Sequence, residues 1–371
     1  MSGAKSAIAL YFYRLAGMGG AERMVCLLAN ALATRGFVVH LVSWDQPGAE
    51  PFYAVSPEVK LHRLGFRPGV AGKIHRSRTL FKLLREQGIG VLVGFVMSGD
   101  RTVLSAAKLA GTKVIAAERN APEMYTIRYN RLQRWLNLSA LHLVDRIAVQ
   151  FPEFAGGYPA TLRGRIKTIP NPVAKASCRA RPEEPGPHGR FTLLAVSRLD
   201  RVQKRLHTLI DAFAQIERAH PEWDLLIVGD GPDEAALGRL AIDRGVAGRV
   251  RMESSAENIS RTYAASHLFV IPSRWEGFSN SLAEALAHGL PAVGFRGAPG
   301  VAQLIADGET GWLADGADDA NTLAMVLDRA MADSAERARR GASAVARMEG
   351  YPPEAQFDRW ADLIQAAAGK P

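Results

Sequence analysis

The sequence predicts an α/β protein built from two doubly wound parallel sheets in tandem. Three observations carry that prediction. Short apolar runs alternate with helical stretches along nearly the whole chain, the pattern of βαβ units. The alternation breaks once, at "IPNPVAKASCRARPEEPGPHGR" (169–190), which holds five prolines and little apolar content. And 371 residues is long for one core but ample for two.

The elements follow in order. "AIALYFY" (7–13) reads as a buried strand. "GGAERMVCLLANALATRG" follows as a helix with Met24, Leu27, Leu28, Ala31 and Leu32 as its apolar positions and Gly36 as its stop. "FVVHLVS" (37–43), "IGVLVGF" (89–95), "KVIAA" (113–117) and "DRIAVQ" (145–150) repeat the strand theme, with helices between. Past the break come "FTLLAVS" (191–197), a helix over 204–219, "DLLIVGD" (224–230), a helix from Asp233 and "HLFVIPS" (267–273). A helix from Ser279 to His288 with Gly289 beyond it, then "PAVGF" (291–295), complete the second series, and helical stretches run from 319 to the C-terminus. The expected domains are 1–170, a linker over 171–190, 191–350, and a C-terminal helix over 351–371 that packs back on the first domain. Two such domains face a cleft, and ligands of open α/β sheets sit at the carboxyl ends of the strands.

Composition narrows the function classes. The chain is 47% hydrophobic and 22% charged, as ordinary globular proteins are. It has no run of 18 apolar residues, so no membrane-spanning helix is expected. The N-terminal apolar run ends at Arg14 and reads as a first strand rather than a signal-peptide core. Cys26 and Cys178 have no metal spacing, and a reducing cytosol fits them. Charge is uneven. Residues 1–170 hold 23 Lys+Arg against 10 Asp+Glu, or +13, and residues 171–371 hold 23 against 27, or −4, which together give the net +9. The first half is therefore expected to meet an anionic partner: nucleic acid, acidic lipid or a phosphorylated acceptor.

Candidate site residues cluster where strands end. In "PSRWEGFSNSLAEALAHGLP" a strand leads through a glycine-bearing turn to a helix start, whose unpaired N–H groups suit phosphate. Glu284 can accept from two neighbouring hydroxyls, as on a ribose, and Glu276 can reach a sugar. Locally, Ser281 with Glu284 also fits an S-x-x-E capping box. In "VSRLDRVQKRLHTL", Arg198 lies just past a strand and Lys204 near the next helix start, a fork and a point charge suited to a diphosphate or simply to a solvated basic loop. "IVGDGPDEAALGRL", with Gly229 and Gly231, and "LAGMGGAERMV", with Gly19 and Gly20, are glycine turns at helix starts that admit either close ligand approach or an ordinary turn. Neither matches G-x-G-x-x-G, and G-x-x-x-x-G-K-[ST], H-E-x-x-H and G-x-S-x-G are lacking. Asp318 and Asp319 fall in an expected surface loop with no metal pattern. Residues 60–86 interleave Lys60, Arg63, Arg67, Lys73, Arg76, Arg78, Lys82 and Arg85 with Ile74, Leu80, Phe81, Leu83 and Leu84. That segment fits both a basic amphipathic helix on an anionic membrane and a solvated helix with its apolar side in the core.

Taken in order along the chain, "GGAER", "VIAAERN", "IPNPV", "VSRLDRVQKR", "VGDGP" and "EGFSNSLAEALAHGLPAVGF" resemble the glycosyltransferases of family 4 over essentially the whole sequence. The last, a Glu-x7-Glu signature, is the most specific. The resemblance implies the GT-B fold of two Rossmann-like domains and a retaining transferase that uses a nucleotide-activated sugar with no metal at its centre. By position, Arg198 and Lys204 would bind the diphosphate and Glu284 the ribose hydroxyls. Phe278, Ser279 and Asn280 would offer backbone N–H groups, and Glu276 would face the donor sugar as the catalytic carboxylate alongside Arg198 and Lys204. Gly19, Gly20, Gly229 and Gly231 would approach the donor. The chain departs from the family pattern where many members place a first-domain histidine. Glu118, Arg119 and Asn120 stand there, and Arg119 and Asn120 are the expected acceptor-side residues.

The expected activity moves a hexose or N-acetylhexosamine, from a UDP-sugar in preference to GDP-mannose, to a lipid-linked or polysaccharide acceptor in cell-surface glycan synthesis. No cofactor is expected. The expected location is the cytoplasm, peripheral on the inner face of the cytoplasmic membrane, with the basic first domain against anionic lipid. The alternative from another class is an anionic-polymer or nucleic-acid-binding protein. Against it, the basic residues lack an aromatic stacking pattern or a recognition motif.

Overall fold

The computed structural model describes residues 7–95, 100–254 and 259–369. The chain divides into two units, one of residues 1–171 with 354–371 and one of residues 172–353.

The first unit is a seven-stranded parallel sheet in the order β3-β2-β1-β4-β5-β6-β7. Its strands are β1 (Ala7–Tyr11), β2 (Val38–Ser43), β3 (Lys60–Arg63), β4 (Val91–Phe95), β5 (Lys113–Ala117), β6 (Arg146–Val149) and β7 (Ile166–Thr168). Its helices are α1 (Gly20–Thr34), α2 (Gly69–Glu86), α3 (Arg101–Ala110), α4 (Met124–Arg128), α5 (Arg131–Ala140) and α6 (Ala160–Arg163). Local signals explain several ends. Asp100 caps α3 by accepting from the Val103 amide, and Gly111 closes it at φ 76°. Asn130 and Gln133 form a full capping box on α5. In α1, Met24, Leu28 and Leu32 are buried as expected, but Leu27 is exposed and Val25, Ala29 and Ala33 take the core instead.

The second unit is a six-stranded parallel sheet in the order β10-β9-β8-β11-β12-β13. Its strands are β8 (Phe191–Val196), β9 (Trp223–Val228), β10 (Val250–Glu253), β11 (Leu268–Ile271), β12 (Ala292–Phe295) and β13 (Gly311–Ala314). Its helices are α7 (Leu206–Ile216), α8 (Glu234–Asp243), α9 (Ile259–Ala264), α10 (Asn280–Ala287), α11 (Ala320–Ala332) and α12 (Ser334–Met348). The carboxyl ends of β8, β9 and β11, three adjacent strands, carry the loops described below.

Two segments sit differently from expectation. Of residues 171–190, expected as a linker, Asn171 belongs to the first unit and residues 172–190 are folded onto the second. The Ala180 amide donates to the His288 carbonyl at 2.8 Å, and Arg179 Nη1 donates to the Ala287 carbonyl at 2.5 Å. Arg337 reaches from α12 to the Pro182 carbonyl at 2.9 Å while its guanidinium lies over the Trp223 ring. Paired backbone groups hold this proline-rich stretch without regular structure. The last helix, α13 (Pro353–Ala367), belongs to the first unit from Glu354 onward. Its Phe357, Trp360, Leu363 and Ile364 join the core of β1, β4 and α1, with Trp360 stacked 6.3 Å from Phe95. Cutting Trp360 back to alanine there costs about 3–5 kcal/mol.

Candidate functional site

The loop from β8 to α7 is built around Asp200. Its carboxylate accepts from the amides of Val202 at 2.9 Å and Gln203 at 3.1 Å and from Arg198 Nη2 at 2.7 Å. Partial burial alone would raise its pKa. The Gln203 amide, the Arg198 charge and the Val202 amide outweigh that and hold it below the usual aspartate value. Arg198 is thereby oriented at the strand end with its side chain largely exposed. The chain enters α7 through Arg205, a non-glycine residue at φ 53°, whose guanidinium pairs with Asp318. Such left-handed geometry costs about 1–2 kcal/mol. Just before it Lys204 points inward, where its Nζ meets Glu276 Oε1 at 2.6 Å. Both side chains are well buried, 17% exposed for Lys204 and 8% for Glu276.

Glu276 comes from the β11–α10 loop, which is pinned on two sides. Gln203 Nε2 donates to the Trp275 carbonyl at 3.1 Å, and the Arg274 amide donates to the Gln203 carbonyl at 2.8 Å. On the other side the Glu276 amide donates to the Pro299 carbonyl at 2.8 Å. Gly300, at φ 79°, lies so close that a Cβ there would meet the carbonyl oxygens of Gly277 at 2.3 Å and Glu276 at 2.4 Å. Phe278 is buried with its ring edge-on to Tyr351, so a ligand would meet its backbone rather than its side chain.

The helix after this loop starts one residue later than expected and stops one earlier. Ser279 is the N-cap of α10 but makes no side-chain cap hydrogen bond, His288 is the C-cap and Gly289 follows at φ 80°. The capping-box reading of Ser281 and Glu284 is corrected. Ser281 is the second helical residue and Glu284 the fifth, too far in for a box. Glu284 instead accepts from the Tyr263 hydroxyl at 3.1 Å.

Gly229 and Gly231 have a reason of their own. A Cβ on Gly229 would meet the Ser197 carbonyl oxygen at 2.0 Å, and one on Gly231 the Leu199 carbonyl oxygen at 2.3 Å. The β9–α8 turn is laid directly on the β8–α7 loop, and the Leu199 amide donates to the Asp230 carbonyl at 3.0 Å. Arg198, Lys204, Gly229, Gly231, Glu276, Phe278, Ser279, Asn280 and Glu284 thus lie on loops and a helix at one edge of one sheet. Asp319 caps α11, so the Asp318–Asp319 pair is spent on an ion pair and a helix start.

In the first unit Gly19 is the N-cap of α1 and Gly20 its first residue, with the Glu22 carboxylate folded to within 2.3 Å of where a Gly19 Cβ would stand. Arg119 follows β5, with its guanidinium turned inward. It lies over the rings of Trp360 at 5.6 Å and Phe95 at 6.0 Å, and donates to the Ile169 carbonyl and to Asn171. Arg119 is committed to an internal contact, and its expected place beside an acceptor does not follow from this geometry. Asn120 beside it is half-buried. Glu118 is buried against the Tyr125 hydroxyl at 2.5 Å, and burial raises its pKa despite that bond. In α2, Leu80 and Leu84 are core residues, as the reading of a helix with its apolar side in the core expects, while Val70, Ile74 and Phe81 are exposed. The sequence reading missed Leu132 and Trp135 on α5, each 64% exposed and interleaved with Arg131 and Arg134. It also missed Tyr263 and Gly300, whose roles depend on contacts between loops far apart in sequence.

Comparison with known proteins bears on these loops. Residues 18–176 match the family described as Glycosyltransferase Family 4, and residues 179–347 match Glycosyl transferases group 1. An uncharacterized glycosyltransferase of Haemophilus influenzae is 28% identical over 320 residues, 83% of this chain and 86% of that one. The amylovoran biosynthesis glycosyltransferase of Erwinia amylovora is 23% identical over 363 residues, 94% of this chain and 97% of that one. Among solved structures, a sucrose-phosphate synthase from Thermosynechococcus elongatus superposes with a TM-score of 0.81 at 20% identity, covering 98% of this chain and 99% of that one.

Proposed function

The chain belongs to the family 4 glycosyltransferases of GT-B fold, and from that premise we propose a retaining, metal-independent hexosyltransferase that draws on a nucleoside-diphosphate sugar. The donor is a UDP-sugar in preference to GDP-mannose, carrying a hexose or N-acetylhexosamine. The acceptor is a lipid-linked or polysaccharide glycan of the cell surface, a reading supported by the relative in amylovoran biosynthesis.

One observation carries the reading: the buried Lys204–Glu276 pair at the carboxyl edge of the second sheet, with Arg198 beside it and the start of α10 just beyond. An entering diphosphate takes Lys204 and Arg198 as its cations, and Glu276, released from Lys204, turns to the sugar. The α10 N-terminus adds partial positive charge toward the phosphates. As the bond from the anomeric carbon to the phosphate oxygen breaks, negative charge gathers on that oxygen where the cations already stand. The acceptor oxygen bonds the anomeric carbon on the same face, and its proton passes to the departing phosphate oxygen. The Glu276 carboxylate stabilises the oxocarbenium-like carbon in between. Glu284 holds the ribose hydroxyls.

Thermal-shift measurements with UDP, GDP, ADP and a duplex oligonucleotide test the class. Stabilisation by a nucleoside diphosphate is expected, with UDP the strongest. Stabilisation by the oligonucleotide alone would refute the reading. Turnover with a donor panel, run with and without EDTA, then identifies the sugar and checks that no divalent ion is needed.

The +13 charge of residues 1–170 and the exposed Leu132 and Trp135 among arginines support docking of the first unit on the anionic inner face of the cytoplasmic membrane. No helix among the described residues is long and apolar enough to cross a membrane. Co-sedimentation with phosphatidylglycerol vesicles but not with phosphatidylcholine vesicles is expected, and it weakens in Trp135→Ser.

A further inference from the structure

Resting on the assignment of Glu284 to the donor ribose, we propose that Tyr263 is a positioning residue for that carboxylate and so sets how strongly the ribose hydroxyls are recognised. Tyr263 lies on α9 and is almost wholly buried, with its ring 5.1 Å from that of His288 and 6.2 Å from that of Phe269. A phenylalanine would fill this space equally well. Its hydroxyl donates a hydrogen bond of 3.1 Å to Glu284 Oε2.

The helix bearing Glu284 is held from the same side at a second point. His288 Nδ1 lies 2.7 Å from the Glu284 carbonyl oxygen, which can only accept, so Nδ1 carries the proton. In the neutral ring Nε2 then accepts, and it lies 2.7 Å from Ser260 Oγ. Ser260 and Tyr263 are both on α9, and Glu284 and His288 span the last turn of α10 and its cap. Two side-chain pairs therefore stitch α9 to α10. One fixes the backbone of Glu284 through His288, and the other fixes its carboxylate. An ionised carboxylate has about four lone-pair sites, so accepting from the Tyr263 hydroxyl is compatible with accepting from others. A carboxylate already held in one rotamer loses less freedom when the ribose arrives.

The test measures dissociation constants for UDP and 2′-deoxy-UDP by calorimetry, with GDP and 2′-deoxy-GDP as a second pair. In the wild type the ribonucleotide binds more tightly, and Glu284→Gln brings the ratio close to unity. Tyr263→Phe is expected to weaken the ribonucleotide roughly tenfold, the loss of one charge-assisted hydrogen bond, while the deoxy analogue changes little. A residue that merely packs α9 on α10 would weaken both nucleotides alike and leave the ratio intact. In the Glu284→Gln background Tyr263→Phe should have no further effect on the ratio. A ratio unchanged by Tyr263→Phe but lost in Glu284→Gln overturns the role of Tyr263 and leaves the ribose assignment standing. A ratio kept in Glu284→Gln, or no binding by either nucleotide pair, overturns both.

Discussion

Replacing Lys204 with methionine isolates the ion pair on which the proposed donor site is built. The charges meet at 2.6 Å. Coulomb's law gives about 6 kcal/mol for that separation at an effective dielectric of ~20 and about 1.6 kcal/mol in bulk water. Desolvation of both groups offsets much of the larger figure, but the variant also leaves a buried carboxylate without its cation. Breaking such pairs costs about 3–5 kcal/mol, and the residual exposure of Lys204 places the expectation near ~3 kcal/mol. For a unit of this size that lowers the melting temperature by roughly 6–12 °C. The double variant Lys204→Met with Glu276→Gln removes the stranded charge and should recover most of the loss. Calorimetric melting of the ligand-free protein reads both values. Both variants should also lose turnover by at least about a hundredfold, because the cation proposed to meet the leaving phosphate is gone from each. Equal melting temperatures for wild type and Lys204→Met, or a double variant no more stable than the single, would refute the reasoning.

Other expectations follow from the same geometry. Glu284→Ala weakens donor binding while Glu276→Ala mainly lowers kcat, which titration calorimetry and steady-state kinetics with the donor separate. Gly300→Ala forces a Cβ against two carbonyl oxygens at a positive φ. It should cost at least about 2 kcal/mol and lower kcat by displacing Glu276, as denaturation and turnover assays would read. Burial lowers the pKa of both His40 and His267 from 6.5 to about 4, aided by His62 at the first and opposed by a backbone bond at the second. The unfolded chain therefore takes up these protons first. Stability should be full above pH 6.5 and fall as the pH drops toward 4. Urea melts at pH 7.5 and 5 check the sign, and His267→Gln should flatten part of the slope.

The strands legible in the sequence share a position. Every strand expected from an apolar run lies inside a sheet, and the four not foreseen, β3, β7, β10 and β13, are the four sheet edges. Interior strands of a parallel sheet are covered on both faces and must be apolar throughout. Three of these edge strands are short and polar, "KLHR", "IKT" and "VRME", as edges that avoid pairing with another chain are, whereas the fourth, "GWLA", is apolar and buried but only four residues long. The basic segment 60–86 hid β3 for that reason, its charges reading as helix surface. Helix limits erred by one residue at each end of α10 and by two and three residues at the start and end of α7.

By itself the sequence determined the two α/β domains, the loops that end their strands and the residue types on those loops, because alternation, glycine turns and helix starts are properties of consecutive residues. The pairing of those residues was decided only by the tertiary structure. Lys204 meets Glu276 and Tyr263 meets Glu284 because β8 and β11 are neighbours in the sheet and α9 packs on α10. Gly229 and Gly231 turned out to be needed by a neighbouring loop, and Arg119 by two aromatic rings and the peptide at Ile169. A charged side chain takes its partner from whatever the fold brings within hydrogen-bond reach, and strand order, which no local pattern encodes, decides what that is.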